Sequence, residues 1–179
     1  MRKVLLPAVG VIVVLLTAAP QSQSKAPATP DPVFVLETVK GVIEIRLFRS
    51  EAPKSVDHLL ELIKRSFYRG QRFHRATPML VQTGDPQSRD MSKELSWGNG
   101  NSGSPIGVFE RIKTRLHVRG AVGLAHSGNP AGADSQFYIM KDASPSLDGK
   151  HAVIGQVIAG MAVVDKIAVR DLIKNVTLK

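Results

Sequence analysis

From Val33 onward the chain is written in short β-rich runs, and only one long stretch carries clear helical spacing. PVFVLETV and GVIEIRLF roughly alternate apolar with polar residues and meet at Lys40-Gly41, which predicts a hairpin. MLVQT, AVGLA, QFYIM and AVIGQVI continue the pattern with Gly, Asn, Pro and Asp in the gaps, and LIKNVTL predicts a closing strand. The helical stretch is SEAPKSVDHLLELIKRSFYRG, where Val56, Leu59, Leu60 and Ile63 share one face. Pro53 suits its first turn, Lys64 and Arg65 its last, and Gly70 closes the segment. MAVVDKIAV predicts a second, short helix. Many short strands with two helices fit a closed β-barrel or sandwich with helical caps, not alternating strand–helix–strand units.

The first residues are a different text. Arg2 and Lys3 precede an apolar run from Val4 to Leu16, followed by the small residues Ala18 and Ala19 and a tract rich in Pro, Ser, Gln and Ala. That order predicts a secretory signal, with an uncleaved N-terminal anchor as the alternative, over residues 1–24. A linker over 25–32 and one domain over 33–179 complete the expected organisation, and the expected location is periplasmic or extracellular. The chain has no cysteine, which removes disulfides, thiolate metal sites and cysteine nucleophiles.

The formal net charge is +9, of which +7 remains without the leader's Arg2 and Lys3. The densest basic residues, Arg111, Lys113, Arg115 and Arg119, have only Phe109 as an aromatic neighbour, so no nucleic-acid partner is expected. They predict a solvated basic surface able to associate weakly with an anionic envelope.

Three motifs point to chemistry that the context does not support. Gly98, Gly100 and Gly103 spell G-x-G-x-x-G, but SKELSW precedes them and Pro105 follows, so neither the strand nor the helix of a dinucleotide site is present. The expected reading is a flexible glycine loop inside a long polar connection from Pro86 to Gly107. His58, His74, His117, His126 and His151 include no pair three or four apart, so no metal is expected. His58 reads as a partly exposed helix residue, His117 as part of the basic stretch, and the other three as structural or pocket-lining. Ser127 follows His126 without a nucleophile-elbow signature.

Three separated segments carry the functional signal: YRGQRFHRATPMLVQTGDP from Tyr68, RGAVGLAHSGNPAGADSQFYI from Arg119 and LDGKHAVIGQVIAGM from Leu147. Together they resemble the cyclophilin-type peptidyl-prolyl cis-trans isomerases over essentially all of 33–179. The resemblance implies a mainly β fold, an eight-stranded antiparallel β-barrel capped by two α-helices, with a substrate groove on its outside. It implies Arg75 and Gln82 as the catalytic pair. His74, Met79, Leu80, Ala125, His126, Gln136, Tyr138, Leu147 and His151 would contact substrate. Met79 and Leu80 stand where the family commonly has Phe and Met, Ser146 where many members have Trp, and His126 where Asn is common. The segment between Arg75 and Gln82 is one residue shorter than usual.

Rotation about an X-Pro bond breaks no covalent bond, so the implied enzyme needs no cofactor and no metal. Its implied partners are proline-containing, unfolded or exported polypeptides, bound by a monomer. The alternative reading is a cyclophilin-fold binding module or chaperone that grips proline segments with weak or no turnover.

Overall fold

The computed structural model describes residues 30–179; the predicted leader and most of the linker lie outside the described residues. Strand β1 (Val33–Thr38) turns through Val39-Lys40 into β2 (Gly41–Leu47), as the alternation predicts. The Thr38 hydroxyl holds this turn, donating to the Gly41 carbonyl and accepting from the Lys40 amide.

Helix α1 (Pro53–Lys64) buries Val56, Leu59, Leu60, Leu62 and Ile63. Its N-cap, Ala52, has no capping side chain. The Glu110 carboxylate takes that role from a distant loop, accepting from the Lys54 and Ser55 amides at 3.1 and 2.7 Å. The helix ends ahead of Gly70, because Ser66 already adopts a positive φ of 55°.

The remaining elements are β3 (Arg75–Ala76), β4 (Leu80–Thr83), β5 (Ala121–Leu124), β6 (Phe137–Met140), β7 (Val153–Ala159), α2 (Met161–Lys166) and β8 (Ile173–Leu178). The eight strands form one antiparallel sheet in the order β3-β4-β6-β5-β7-β2-β1-β8. The sheet curls until its ends meet. Backbone bonds from Gly70 to Ile173, Ile173 to Gln71, Phe73 to Asp171 and Arg170 to Phe73 join the chain entering β3 to the chain entering β8.

Period-two alternation then sorts the side chains into two apolar groups. Val81, Val122, Leu124, Phe137, Ile139 and Ile154 point inward and pack with α1 and Phe34 in the barrel interior. Leu80, Ala121, Tyr138, Met140 and Val153 point outward, yet they too are buried, with Ala125 and Leu147 packed against them. Strands β5 and β6 are therefore buried on both faces, because loops cover their outer side. A second, smaller apolar patch on the outside of a barrel is where a groove can form.

Candidate active site

Arg75 and Gln82 are paired across β3 and β4, with Arg75 Nη1 3.5 Å from Gln82 Oε1. The shortened ATPMLV segment still allows direct opposition, because Thr77 closes the connection by bonding to Leu80. Gln82 Nε2 donates to Gln136 Oε1 at 2.9 Å, and Gln136 Nε2 donates to the carbonyls of Gly98 and Gly100. A polar chain thus runs from the arginine through two glutamines into the glycine loop.

That loop is not the flexible tether expected from sequence. The buried Asp85 carboxylate accepts from the amides of Gln87, Gly98 and Gly100. The buried Asp134 carboxylate accepts from Gly103 and Ser104, from the Ser102 hydroxyl, and lies 3.0 Å from His58 Nε2. Gly100 is needed because a Cβ there would overlap Asp85 Oδ1. Two carboxylates far apart in sequence fasten the loop.

Beside the arginine, a cavity of about 190 Å³ is lined by Arg75, Leu80, Gln82, Ala125, His126, Tyr138, Leu147 and His151. All eight are among the residues implied by the sequence motifs. The cavity lies on the outward apolar group, with Tyr138, Leu80 and Leu147 as walls. No acidic residue lines it, and Arg75 makes no ion pair among the described residues. Gln136 lines an adjoining polar cavity of about 270 Å³, which shares Gln82, Ala125 and His126 with the first.

Met79 and His74 do not line the cavity with the arginine. Met79 is 39% exposed at the β3–β4 connection, where its carbonyl accepts from Lys141. Leu80 and Gln82, two residues apart, face the groove instead. His74 packs against Gly98 of the glycine loop. Burial lowers its pKa, with Asp85 pulling the other way.

The two histidines at the mouth stack on each other, His126 on His151, with centroids 4.2 Å apart and planes 28° apart. His126 Nε2 lies 3.0 Å from the Lys150 carbonyl, and His151 Nδ1 lies 3.2 Å from the Leu124 carbonyl, so each of these nitrogens donates. Burial lowers the His151 pKa, against the bond to the Leu124 carbonyl, which raises it. The phenol of Tyr138 is pushed well above its usual range, first by burial and then by the charge of Asp148. Tyr138 therefore stays protonated.

His117, expected as part of a basic surface, instead bonds to Tyr138, a residue that lines the cavity. It is buried, with Nδ1 2.8 Å from Asp148 Oδ1 and Nε2 2.8 Å from the Tyr138 hydroxyl. Its basic neighbours are less free than expected. Arg115 pairs with Glu51 and covers the Phe48 ring at 3.9 Å, and Arg119 pairs with Asp165.

Residues 33–178 match the sequence family described as "Cyclophilin type peptidyl-prolyl cis-trans isomerase/CLD". A protein from Brucella suis described as a probable peptidyl-prolyl cis-trans isomerase is 38% identical over 149 residues, spanning 81% of this chain and 76% of that one. A peptidyl-prolyl cis-trans isomerase from Helicobacter pylori is 35% identical over 144 residues, spanning 79% and 83% respectively. The fold is similar to that of a Cryptosporidium parvum cyclophilin-type isomerase solved in the presence of the dipeptide Ala-Pro. The TM-score is 0.70 at 23% identity, over 82% of this chain and 98% of that one.

Proposed function

This chain belongs to the cyclophilin-type peptidyl-prolyl cis-trans isomerases, and from that membership we propose that Arg75 and Gln82 catalyse rotation of an X-Pro bond held in the cavity beside them. The observation that carries the reading is a single guanidinium, free of carboxylate partners among the lining residues, that borders a cavity of about 190 Å³ together with Leu80, Tyr138 and Leu147.

The chemistry follows from the peptide bond. Resonance resists rotation with a barrier of roughly 18–20 kcal/mol. X-Pro bonds occupy both isomers but interchange over about tens to hundreds of seconds. At the twisted transition state the prolyl nitrogen loses its resonance and presents a basic lone pair. A guanidinium N–H aimed there stabilises the twisted state more than the planar one, which is the condition for acceleration. Arginine suits this role because it remains charged and presents donors in a fixed plane. Its bond to Gln82 restrains the guanidinium, and Gln136 restrains Gln82 in turn.

Leu80, Tyr138 and Leu147 would enclose the pyrrolidine ring, with His151 at its edge. Ala125 and His126 border both cavities and would guide the peptide on either side of the proline.

The proposed clients are exported polypeptides. The basic start, apolar run and small-residue exit of residues 1–24 support that reading, and the net charge of +7 that remains without Arg2 and Lys3 favours weak association with an anionic envelope. Fractionating the source cells tests it: the domain should be recovered outside the cytosol, and exclusive recovery from the cytosol would overturn it. For the site, the diagnostic variant is Arg75→Ala in an X-Pro isomerisation assay; a folded variant with full turnover would remove the arginine from the mechanism.

A further inference from the structure

We infer that His117 is a positioning residue for this reaction: it holds the Tyr138 ring as one wall of the prolyl cavity and ties that wall to the turn that carries Leu147. The inference rests on the reading that the cavity beside Arg75 receives the proline.

His117 sits in the loop just before β5, and its side chain is fully enclosed. Its backbone N–H and ring Nδ1 both meet Asp148 Oδ1 at 2.8 Å. These bonds, the backbone one foremost, hold the Asp148 carboxyl below its usual range, so it is ionised and can only accept. Nδ1 must therefore carry a proton. With the imidazole neutral, Nε2 is left as an acceptor, 2.8 Å from the Tyr138 hydroxyl, which donates to it.

The tyrosine ring is confined on its remaining sides. Gly123 lies opposite it in the β5–β6 register, and a Cβ at that position would overlap the phenol. His151 meets it edge-on, with centroids 5.8 Å apart and planes 83° apart. What remains free is the face toward the cavity. Asp148 directly follows Leu147, whose side chain lines the same cavity from the turn Pro145–Leu147. His117 thus links the Tyr138 wall on β6, through Asp148, to the turn that carries Leu147.

Without an acceptor at Nε2, the Tyr138 hydroxyl would be buried unpaired or would have to turn the ring toward the cavity to reach water. A buried hydroxyl without a partner is costly, so the ring would move into the space that the proline needs. The effect would fall mainly on substrate binding, since Arg75 and Gln82 keep their own strand pairing.

The experiment compares His117→Asn with His117→Gln, each alone and each with Tyr138→Phe. An asparagine keeps a donor near the Nδ1 position for Asp148 but loses the acceptor. A glutamine reaches the Nε2 position with its carbonyl. We expect His117→Asn to raise KM for an X-Pro peptide roughly tenfold with a smaller change in kcat. His117→Gln should raise KM less. In the Tyr138→Phe background, where no hydroxyl needs an acceptor, adding His117→Asn should change KM by less than about twofold.

An equal effect of His117→Asn in both backgrounds, or no effect in the wild-type background, would overturn the inference. Should His117→Asn fail to fold, the unsubstituted imidazole gives the answer by 15N NMR. Tyr138→Phe should shift the His117 Nε2 resonance far more than Nδ1, and an unmoved Nε2 would overturn the inference. Tyr138→Ala separates the two levels. If it leaves KM unaltered, the cavity assignment itself fails; if it raises KM while His117→Asn does not, only the role of His117 fails.

Discussion

Gln82 stands directly across the ladder from Arg75 and is itself held by Gln136, whose amide ends on the Gly98 and Gly100 carbonyls. The arginine's aim is therefore set by a chain of uncharged amide partners and not by an ion pair. A carboxylate in Gln82's place would draw the guanidinium's charge away from substrate. A neutral amide orients it and leaves the charge available.

Removing the first link should weaken catalysis more than stability. Gln82→Ala is expected to lower kcat/KM about fivefold, since one restraining hydrogen bond is worth about 1 kcal/mol. Its melting temperature should stay within a few degrees of wild type. Steady-state kinetics with a thermal melt checks both; unchanged kcat/KM would show that Gln82 does not orient Arg75.

Asp85 is the anchor of the same chain at its other end. It is fully buried and accepts from three backbone amides, two of them in the glycine loop. Asp85→Ala leaves those amides without an acceptor, at a cost of about 1–3 kcal/mol for each one that stays buried. We expect stability lowered by about 3 kcal/mol, faster hydrogen exchange at Gly98 and Gly100, and reduced kcat/KM. Denaturant titration and amide exchange test this; a loop whose protection survives the substitution would contradict it.

Two glycines separate steric need from backbone preference. Gly84 has a φ of 104°, and a Cβ there would strike the Ser135 carbonyl; Gly103 has a φ of 85° with open space around it. Gly84→Ala should therefore destabilise by about 3 kcal/mol or more, and Gly103→Ala by only about 1 kcal/mol. Chemical denaturation of the pair measures the difference, and equal losses would contradict the packing described here.

The pH dependence follows from His74 and His151, both held below the usual histidine value of 6.5, chiefly by burial. Below that value the unfolded chain binds protons that the folded chain resists, so stability falls as pH drops from about 6.5 toward the lowered folded values. Above it both states are neutral and this contribution is constant. Melting temperatures should be level from about pH 7.5 to 8.5 and decline through the range just under 6.5, less steeply for His151→Gln. A melting temperature that rises on acidification through that range would contradict the assignment.

The sequence made the barrel legible wherever a run of alternating residues was long enough to show its period. β1, β2 and α1 are of that kind, and even the short α2 showed in MAVVDKIAV. β3 was not legible, because two residues have no period and its strand state comes only from pairing with β4. The same register decides that Leu80 faces the cavity and Met79 does not, which residue type alone does not settle. The glycine loop looked loose because its fasteners, Asp85 and Asp134, lie outside the glycine run. His117 was hidden by its basic neighbours, although the acid in LDGKH had no assigned partner and was the one available signal.

The most direct measurement is exchange NMR of an X-Pro peptide on saturating enzyme, comparing wild type with Arg75→Ala. If the guanidinium supplies about 3–4 kcal/mol at the twisted nitrogen, catalysed exchange should fall by two to three powers of ten while the peptide still binds and the melting temperature holds. Exchange within a factor of about two of wild type, in a folded variant that binds the peptide equally well, would contradict the account.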